Sequence, residues 1–151
     1  MCGIAGVLSF DDEPFEATPE HINEMRDCVA HRGPDGDGSW ISEDSQVGLG
    51  HRRLAIVDLT SEADQPMSNE DNTVQLLFNG EIYNHAEIRA KLEATGNHEW
   101  QTDHSDTEVI VHAYEEWGID CIERFRGMFA FALWDADARD LWLVRDRIGV
   151  K

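Results

Sequence analysis

Short apolar blocks punctuate the chain, and most are bounded by glycine, proline or a capping side chain. Gly3 to Phe10 (GIAGVLSF) reads as a strand whose glycines permit close backbone approach. An acidic loop over 11–17 follows. Thr18 then looks like an N-cap with Pro19 at the first helical position. Ile22, Met25 and Val29 recur at helical spacing, and Gly33-Pro34 stops that helix. Residues 33–38 (GPDGDG) read as a turn-rich loop. Short strands are expected around Ser39 to Ser42 and Val47 to His51, with further candidates at Leu54 to Val57 and Thr73 to Phe78.

Two helix starts stand out. Asn84 with Glu87 forms a capping box in which Tyr83 can staple onto Ile88, and that helix ends at Gly96. Ser105 with Glu108 is a second capping box, opening a helix that carries Val109, His112, Ala113 and Trp117 and stops at Gly118. Phe129, Phe131 and Leu133 alternate with Met128, Ala130 and Ala132, the pattern of a strand buried on both faces. Asp135 to Asp140 turns the chain into Leu141 to Val144, closing a hairpin. The expected class is α+β with mostly antiparallel pairing.

Composition narrows the function classes. With 151 residues, 41% of them hydrophobic, the chain is one domain's worth, residues 1–151, with enough apolar material for a core. No apolar run reaches the roughly 18 residues of a membrane-spanning helix, and no basic segment precedes a long apolar stretch at the N-terminus. Three cysteines, Cys2, Cys28 and Cys121, are too few and too scattered for a disulfide framework or a CxxC zinc site, which favours a cytoplasmic setting. Cys28 and Cys121 fall in predicted helices as small packing residues. Asp plus Glu number 31 against 12 Lys plus Arg, a formal net charge of −19. Such a surface repels nucleic acid and anionic membranes, so neither is an expected partner. Lys91 and Lys151 are the two lysines. Acid excess with arginine kept and lysine nearly absent favours a halophilic, high-salt cytoplasm over the alternative of an ordinary acidic protein.

Several chemistries are excluded by motif: there is no GxSxG, GxGxxG or GxxxxGK[ST]. An EF-hand starting at Asp35 would put Trp40 at the glycine position and Gln46 at the bidentate position, so that reading fails. No pair among the seven histidines sits beside a third ligand at useful spacing, so no metal site is expected, and His112 reads as a core residue. Cys2 is more informative. Once Met1 is trimmed, it would begin the chain with a thiol nucleophile and an α-amine base of pKa roughly 7.7–8.0 in one residue.

The motifs around Cys2 point one way. They are Met1-Cys2-Gly3-Ile4-Ala5-Gly6, His31-Arg32-Gly33-Pro34-Asp35, Arg53-Leu54-Ala55-Ile56-Val57-Asp58, Phe78-Asn79-Gly80-Glu81-Ile82-Tyr83-Asn84 and Ser105-Asp106-Thr107-Glu108, in that order. Gly127-Met128-Phe129-Ala130-Phe131-Ala132 and Arg145-Asp146 follow. Over its whole length the chain resembles a class II glutamine amidotransferase domain, an N-terminal nucleophile hydrolase. It is most similar to the N-terminal glutaminase domain of glutamine-hydrolysing asparagine synthetase. The resemblance implies a four-layer αββα sandwich of two antiparallel sheets. It implies Cys2 as nucleophile, with Asn79 (side chain) and Gly80 (backbone N–H) as the oxyanion hole. It further implies that Arg53 pairs with the substrate α-carboxylate. Asp106 would hold the α-ammonium, Glu81 would lie near it, and Ile56 and Val57 would line the pocket.

Two assignments have structural alternatives on the residues alone. Asn79-Gly80 is a hairpin-turn signal, and an aspartate at a helix start such as Asp106 can simply satisfy the helix dipole. His31 to Asp35 reads as a structural loop with no chemical step. The resemblance implies no cofactor in this domain, ATP and Mg belonging to the synthetase domain that would accept the ammonia. That domain's motifs do not occur in the chain, and the family domain runs on for several more strands, so the sequence reads as C-terminally truncated. A homodimer is open. Rival readings are a catalytically inactive remnant, a partner-binding module, or the glutaminase domain of another class II amidotransferase.

Overall fold

The computed structural model describes residues 2–10, 16–55 and 63–151. They fall into two compact units: residues up to Ala55 together with Asp64–Pro66, and Ala63 together with Met67–Lys151. Ile56, Val57 and most of the acidic loop read at 11–17 lie outside the described residues.

The first unit is a three-stranded antiparallel sheet with one helix on it. Strands β1 (Gly3–Leu8), β2 (Gly36–Ile41) and β3 (Val47–Arg53) pair in the order β1-β3-β2. Helix α1 (Pro19–Cys28) begins as expected: the Thr18 hydroxyl accepts from the His21 N–H at 3.3 Å, and Pro19 holds the first helical position. The helix sits in a groove made by missing side chains. A Cβ at Gly48 would stand 2.3 Å from Ile22 Cδ1, and one at Gly50 3.3 Å from Ile22 Cγ2. Ile22 is buried, whereas Met25 is 38% exposed and Cys28 is exposed, so the apolar stripe is narrower than its spacing suggests and Cys28 is no packing residue. The Arg26 position faces an ionic cluster instead. Arg26 pairs with Asp27 and Asp37 at 2.9 and 2.6 Å, and Arg52 joins Asp27 at 2.6 Å.

Two boundaries differ from the sequence reading. The helix ends at Cys28, and a 3-10 turn at Ala30–Arg32 carries the chain to Gly33. Gly36–Gly38 is not loop but the start of β2, paired with His51–Arg53. The glycines and aspartates of GPDGDG signal a turn by composition, yet they also allow a strand to press close to its neighbour.

In the second unit, β4 (Met67–Ser68), β5 (Val74–Ile82), β6 (Gly127–Asp135) and β7 (Asp140–Arg145) form an antiparallel sheet in that order. Helices α2 (His85–Glu93) and α3 (Asp106–Trp117) and a 3-10 segment (Gly118–Arg124) pack with it. Leu76, Phe78, Ile110, Phe125, Phe131 and Leu133 are all buried in one core, and Cys121 joins it as expected. The hairpin at 135–140 forms as read, with Arg139 at φ +57° in its turn. The burial of β6 on both faces is confined to Phe131–Trp134; toward Gly127 its alternate residues are partly exposed.

Neither capping box closes. Asn84 spans a chain junction instead: its amide donates to Arg124 O at 2.9 Å, and its carbonyl accepts from Arg126 N at 2.8 Å. Tyr83, expected as the staple, is 61% exposed. Ser105 makes no side-chain cap, and Glu108 accepts from Thr102 N (2.9 Å) and from the Thr102 hydroxyl. Burial works to raise the Glu108 pKa, but the His112 imidazole beside it and the hydrogen bonds from Thr102 leave it below the ordinary value. At Glu108 the longer-range bonds win because they satisfy Thr102 groups otherwise stranded in the interior. Helix α2 ends at Glu93, before Gly96, while α3 stops at Gly118 (φ +59°) as expected.

The narrow stripe on α1 is testable. Ile22→Ala should cost about 2–5 kcal/mol of unfolding free energy by cavity creation, while Met25→Ala should cost only about 0.5 kcal/mol as a surface change. Urea unfolding of both variants checks this, and equal losses would contradict it.

Candidate active site

The first unit supplies a thiol and a guanidinium. In the β1–β3 register Gly3 lies opposite Arg52, which carries Cys2 to the level of Arg53. The Cys2 sulfur is held against the chain just past β3: the Leu54 N–H donates to Sγ at 3.3 Å, and Sγ–H lies 3.7 Å from the Leu54 carbonyl. Arg53 pairs with Asp64 at 2.7 Å and its side chain is 12% exposed.

The His31–Asp35 motif explains why this edge is shaped so closely. A Cβ at Gly33 would stand 2.3 Å from the Arg52 carbonyl carbon, so only glycine lets the loop lie on β3 there. Beyond it, Asp35 brackets the arginine: its N–H donates to Arg53 O at 3.0 Å, and its carboxylate accepts from Ala55 N at 3.0 Å. The loop is a structural element, as read, and its work is to fix the backbone on both sides of position 53.

The second unit supplies a strand edge. Asn79, Gly80 and Glu81 lie within β5, opposite Ala130, Phe129 and Met128. Asn79-Gly80 is therefore strand, and the hairpin-turn alternative is overturned. The turn signal fails because Gly80 serves a different need. A Cβ there would stand 2.3 Å from Met128 O and 2.6 Å from Phe129 Cα.

Opposed residues of an antiparallel pair alternate between exchanging both hydrogen bonds and exchanging none, and the latter pairs stand closer. Phe129 belongs to the second kind, because its polar groups are spent on Asp146: Phe129 N donates to Asp146 Oδ2 at 3.3 Å, and Asp146 N donates to Phe129 O at 2.7 Å. Gly80, its partner, consequently points its N–H away from β6. Ile82, two residues on, shows the same direction: its N–H donates to Asp106 Oδ2 at 3.0 Å. On this edge the described β4 pairs only with Leu76 and Gln75. The Gly80 N–H and the Asp106 carboxylate thus belong to one strand edge, about 7 Å apart along the chain by the rise of two residues.

Asp106 is the first residue of α3 and is 7% exposed. Burial pushes its pKa upward, with the Ile82 N–H and the nearby His85 acting against that and Glu81 adding to it. The helix-start position was legible in the sequence. Its carboxylate nevertheless reaches across to β5 instead of capping its own helix.

Asp146 is the residue that sequence reasoning left without a role. It is buried, and its carboxylate accepts from Val150 N (3.0 Å), Lys151 N (3.0 Å), Phe129 N (3.3 Å) and Ile148 N (3.1 Å). The Val150 N–H leads these donors in holding its pKa down to about 2. Arg147 next to it donates to the carbonyls of Phe125, Ile122 and Glu123, closing the 3-10 segment.

The geometry has counterparts among known proteins. A solved glutamine phosphoribosylpyrophosphate amidotransferase from B. subtilis, complexed with ADP and GMP, superposes with a TM-score of 0.77 over 98% of this chain and 38% of its own, at 20% identity. That likeness shows the fold, α+β with antiparallel sheets. A family model for the glutamine amidotransferase domain matches residues 1–151, and the chain belongs to that family. It is similar to asparagine synthetase [glutamine-hydrolyzing] 2 of Bacillus subtilis, 43% identical over 100% of this chain and 19% of the relative. The asparagine synthetase of Zea mays is 46% identical over 99% of this chain and 24% of the relative. The chain thus spans about a fifth to a quarter of the length of these relatives and corresponds to their glutaminase part.

Asp146 gives a signed pH test. Its pKa lies below the ordinary aspartate value of 3.8, at about 2. The ionised form therefore adds stability that is fully present above pH 3.8 and is lost as pH falls through about 2. Asp146→Asn should be less stable than the parent at pH 7, and the gap should close between about pH 4 and pH 2. Denaturant midpoints measured across that window check it, and a gap that stays constant would refute it.

Proposed function

We propose that this chain hydrolyses the side-chain amide of glutamine to glutamate and ammonia, and that the ammonia serves ATP-dependent asparagine synthesis by a synthetase domain or subunit. The observation that carries the reading is the common edge of β5, where the Gly80 N–H points the same way as the Ile82 N–H that binds Asp106. An extended amino-acid substrate can lie along such an edge, with its amide at Gly80 and its ammonium at Asp106.

In this reading the Cys2 thiol attacks the amide carbon and its proton passes to the α-amine freed by removal of Met1. The oxyanion is met by the Gly80 N–H and the Asn79 side-chain amide, two donors on one developing charge. The amine then returns the proton to the departing nitrogen, ammonia leaves, and a Cys2 thioester remains. Water attacks the thioester, giving glutamate and restoring the thiol. Arg53 takes the α-carboxylate as a planar fork, exchanging it against Asp64. Asp106, helped by Glu81, takes the α-ammonium; a raised pKa is what an uncompensated buried carboxylate shows before a cation arrives. Ile56 and Val57 border the substrate. No cofactor takes part in these steps, and ATP and Mg belong to the acceptor reaction. Relatives that are 43% and 46% identical and carry the asparagine synthetase name favour that acceptor over those of other amidotransferases. The charge of −19 supports a cytoplasmic, halophilic setting without nucleic-acid or membrane partners.

Ammonia release from glutamine tests the mechanism. Cys2→Ala, retained Met1 or an uncleavable N-terminal extension should abolish it, because each removes the thiol or turns the amine into an amide. Cys28→Ala and Cys121→Ala should keep it. Arg53→Ala and Asp106→Ala should raise KM by a factor corresponding to about 2–5 kcal/mol, the cost of leaving a desolvated charge unpaired. Full turnover by a species whose mass includes Met1, or an unchanged KM for Asp106→Ala, would sink the assignment. A protein that binds glutamine without Cys2-dependent ammonia release would be an inactive remnant instead.

The halophilic reading has its own measurement. The screening length falls from about 10 Å at 0.1 M salt to about 3 Å at 1 M, so Tm should rise as KCl is raised between those concentrations. A Tm independent of KCl would remove this reading.

A further inference from the structure

Away from the β5 edge, the second unit gathers Glu70, His98, His112 and Glu115 so that one donor atom from each lies within 4.8 Å of all the others. Their spacing in sequence conceals this. Glu70 lies in the β4–β5 connection, His98 between α2 and α3, and His112 and Glu115 one turn apart on α3. We propose that these four residues form a binding site for a first-row transition-metal dication of the Zn2+ class, tying three segments of the chain together.

The orientation of the donors carries the proposal. The Nδ1 atoms of His98 and His112 converge on a single carboxylate oxygen, Glu115 Oε2, at 3.3 and 2.7 Å. Donors on a tetrahedral Zn2+ stand about 3.3 Å apart, given bonds of about 2.0–2.1 Å. To hold the ion the 2.7 Å His112–Glu115 pair opens by about half an ångström, while donors standing up to 4.8 Å apart draw in. The other ring nitrogens point outward to further carboxylates: His98 Nε2 lies 3.6 Å from Glu116, and His112 Nε2 lies 3.8 Å from Glu108. Neither Nε2 has a hydrogen-bond partner among the described residues. Ligating histidines show this polarity, one nitrogen on the metal and the other N–H turned to a carboxylate that fixes the tautomer.

The carboxylates are oriented as well. Asn69 Nδ2 donates to Glu115 Oε1 at 2.9 Å, leaving Oε2 to face the imidazoles. Glu70 Oε1 accepts from Glu99 N at 2.8 Å. The histidine side chains are 6% and 3% exposed and Glu70 is exposed, which gives the ion a way in. Trp100 packs edge-on against the His112 ring at 4.5 Å, with Arg89 over the Trp100 ring at 4.0 Å, so the imidazoles are held in place. Two imidazoles with two carboxylates suit Zn2+ better than Mg2+ or Ca2+, which take oxygen alone.

The test uses the whole chain, stripped with a chelator and titrated with Zn2+ in 1 M KCl by calorimetry. Co2+ is added separately to read geometry from its visible absorption. The expected result is one saturable Zn2+ per chain, a Tm raised by Zn2+ and not by equimolar Mg2+, and a tetrahedral Co2+ spectrum. Glu70→Gln, at an exposed position, and His98→Gln should each abolish saturable binding. Asn69→Ala, which acts by orienting Glu115, should weaken it by about 10–100-fold. Absence of saturable binding, equal competition by Mg2+, or undiminished Zn2+ stoichiometry in the Glu70→Gln and His98→Gln variants would overturn the site. None of these readouts depends on glutamine turnover.

Discussion

Much of the second unit depends on the close approach of β5 and β6 at Gly80. The two backbones come so near there that a single added carbon would stand 2.3 Å from Met128 O. That proximity belongs to a pair that exchanges no hydrogen bonds, and such a pair must place its polar groups elsewhere. Phe129 places its own on Asp146, while Ile82 places its N–H on Asp106. One parity in the ladder therefore decides three things. It sends the Gly80 N–H to the outer edge of β5, it recruits the first residue of α3 to the same edge, and it folds the chain after β7 back around Asp146. A register slip of one residue would reverse all three.

The same logic separates what could be read from the sequence and what could not. Strands β1, β3 and β7 and helices α1 and α3 were visible because hydrophobic period and terminators agree: Thr18-Pro19 begins one helix, and Gly118 ends another. The capping boxes at Asn84 and Ser105 were misread for one reason. Local pairing within four residues is plausible for any such side chain, but tertiary partners outbid it. Arg124 and Arg126 take Asn84, and Thr102 takes Glu108. Gly36 and Gly80 were drawn toward turns because glycine-rich and Asn-Gly pairs are used in turns and in tight strand contacts alike, and only the neighbouring strand distinguishes the two. Of the candidate site, the motif residues were legible in the sequence as candidates. The brackets around them, Asp35 about Arg53 and Asp146 behind Phe129, were not, since their partners are backbone atoms distant in sequence.

Among the described residues of the second unit three carboxylates are buried, and the contrast among them bears on the proposed function. Asp146 collects four backbone N–H groups, and Glu108 collects the Thr102 N–H and hydroxyl and lies beside the His112 imidazole. Both lie below their ordinary pKa, as carboxylates do when the fold itself neutralises them. Asp106 is about as buried as Asp146, 7% against 6% exposed, yet its pKa is pushed upward, because burial exceeds what the Ile82 N–H and His85 return. A fold able to satisfy Asp146 so fully leaves Asp106 under-compensated on the very edge that bears the Gly80 N–H. Stability does not call for that arrangement, since an apolar residue at the start of α3 would avoid its cost. In the proposed function it is the state expected of an anion site whose counter-charge arrives with the substrate. The same residue shows why a helix-start aspartate cannot be assigned from its position alone: the helix dipole accounts for its presence at that end of α3, but only the strand edge opposite accounts for its direction.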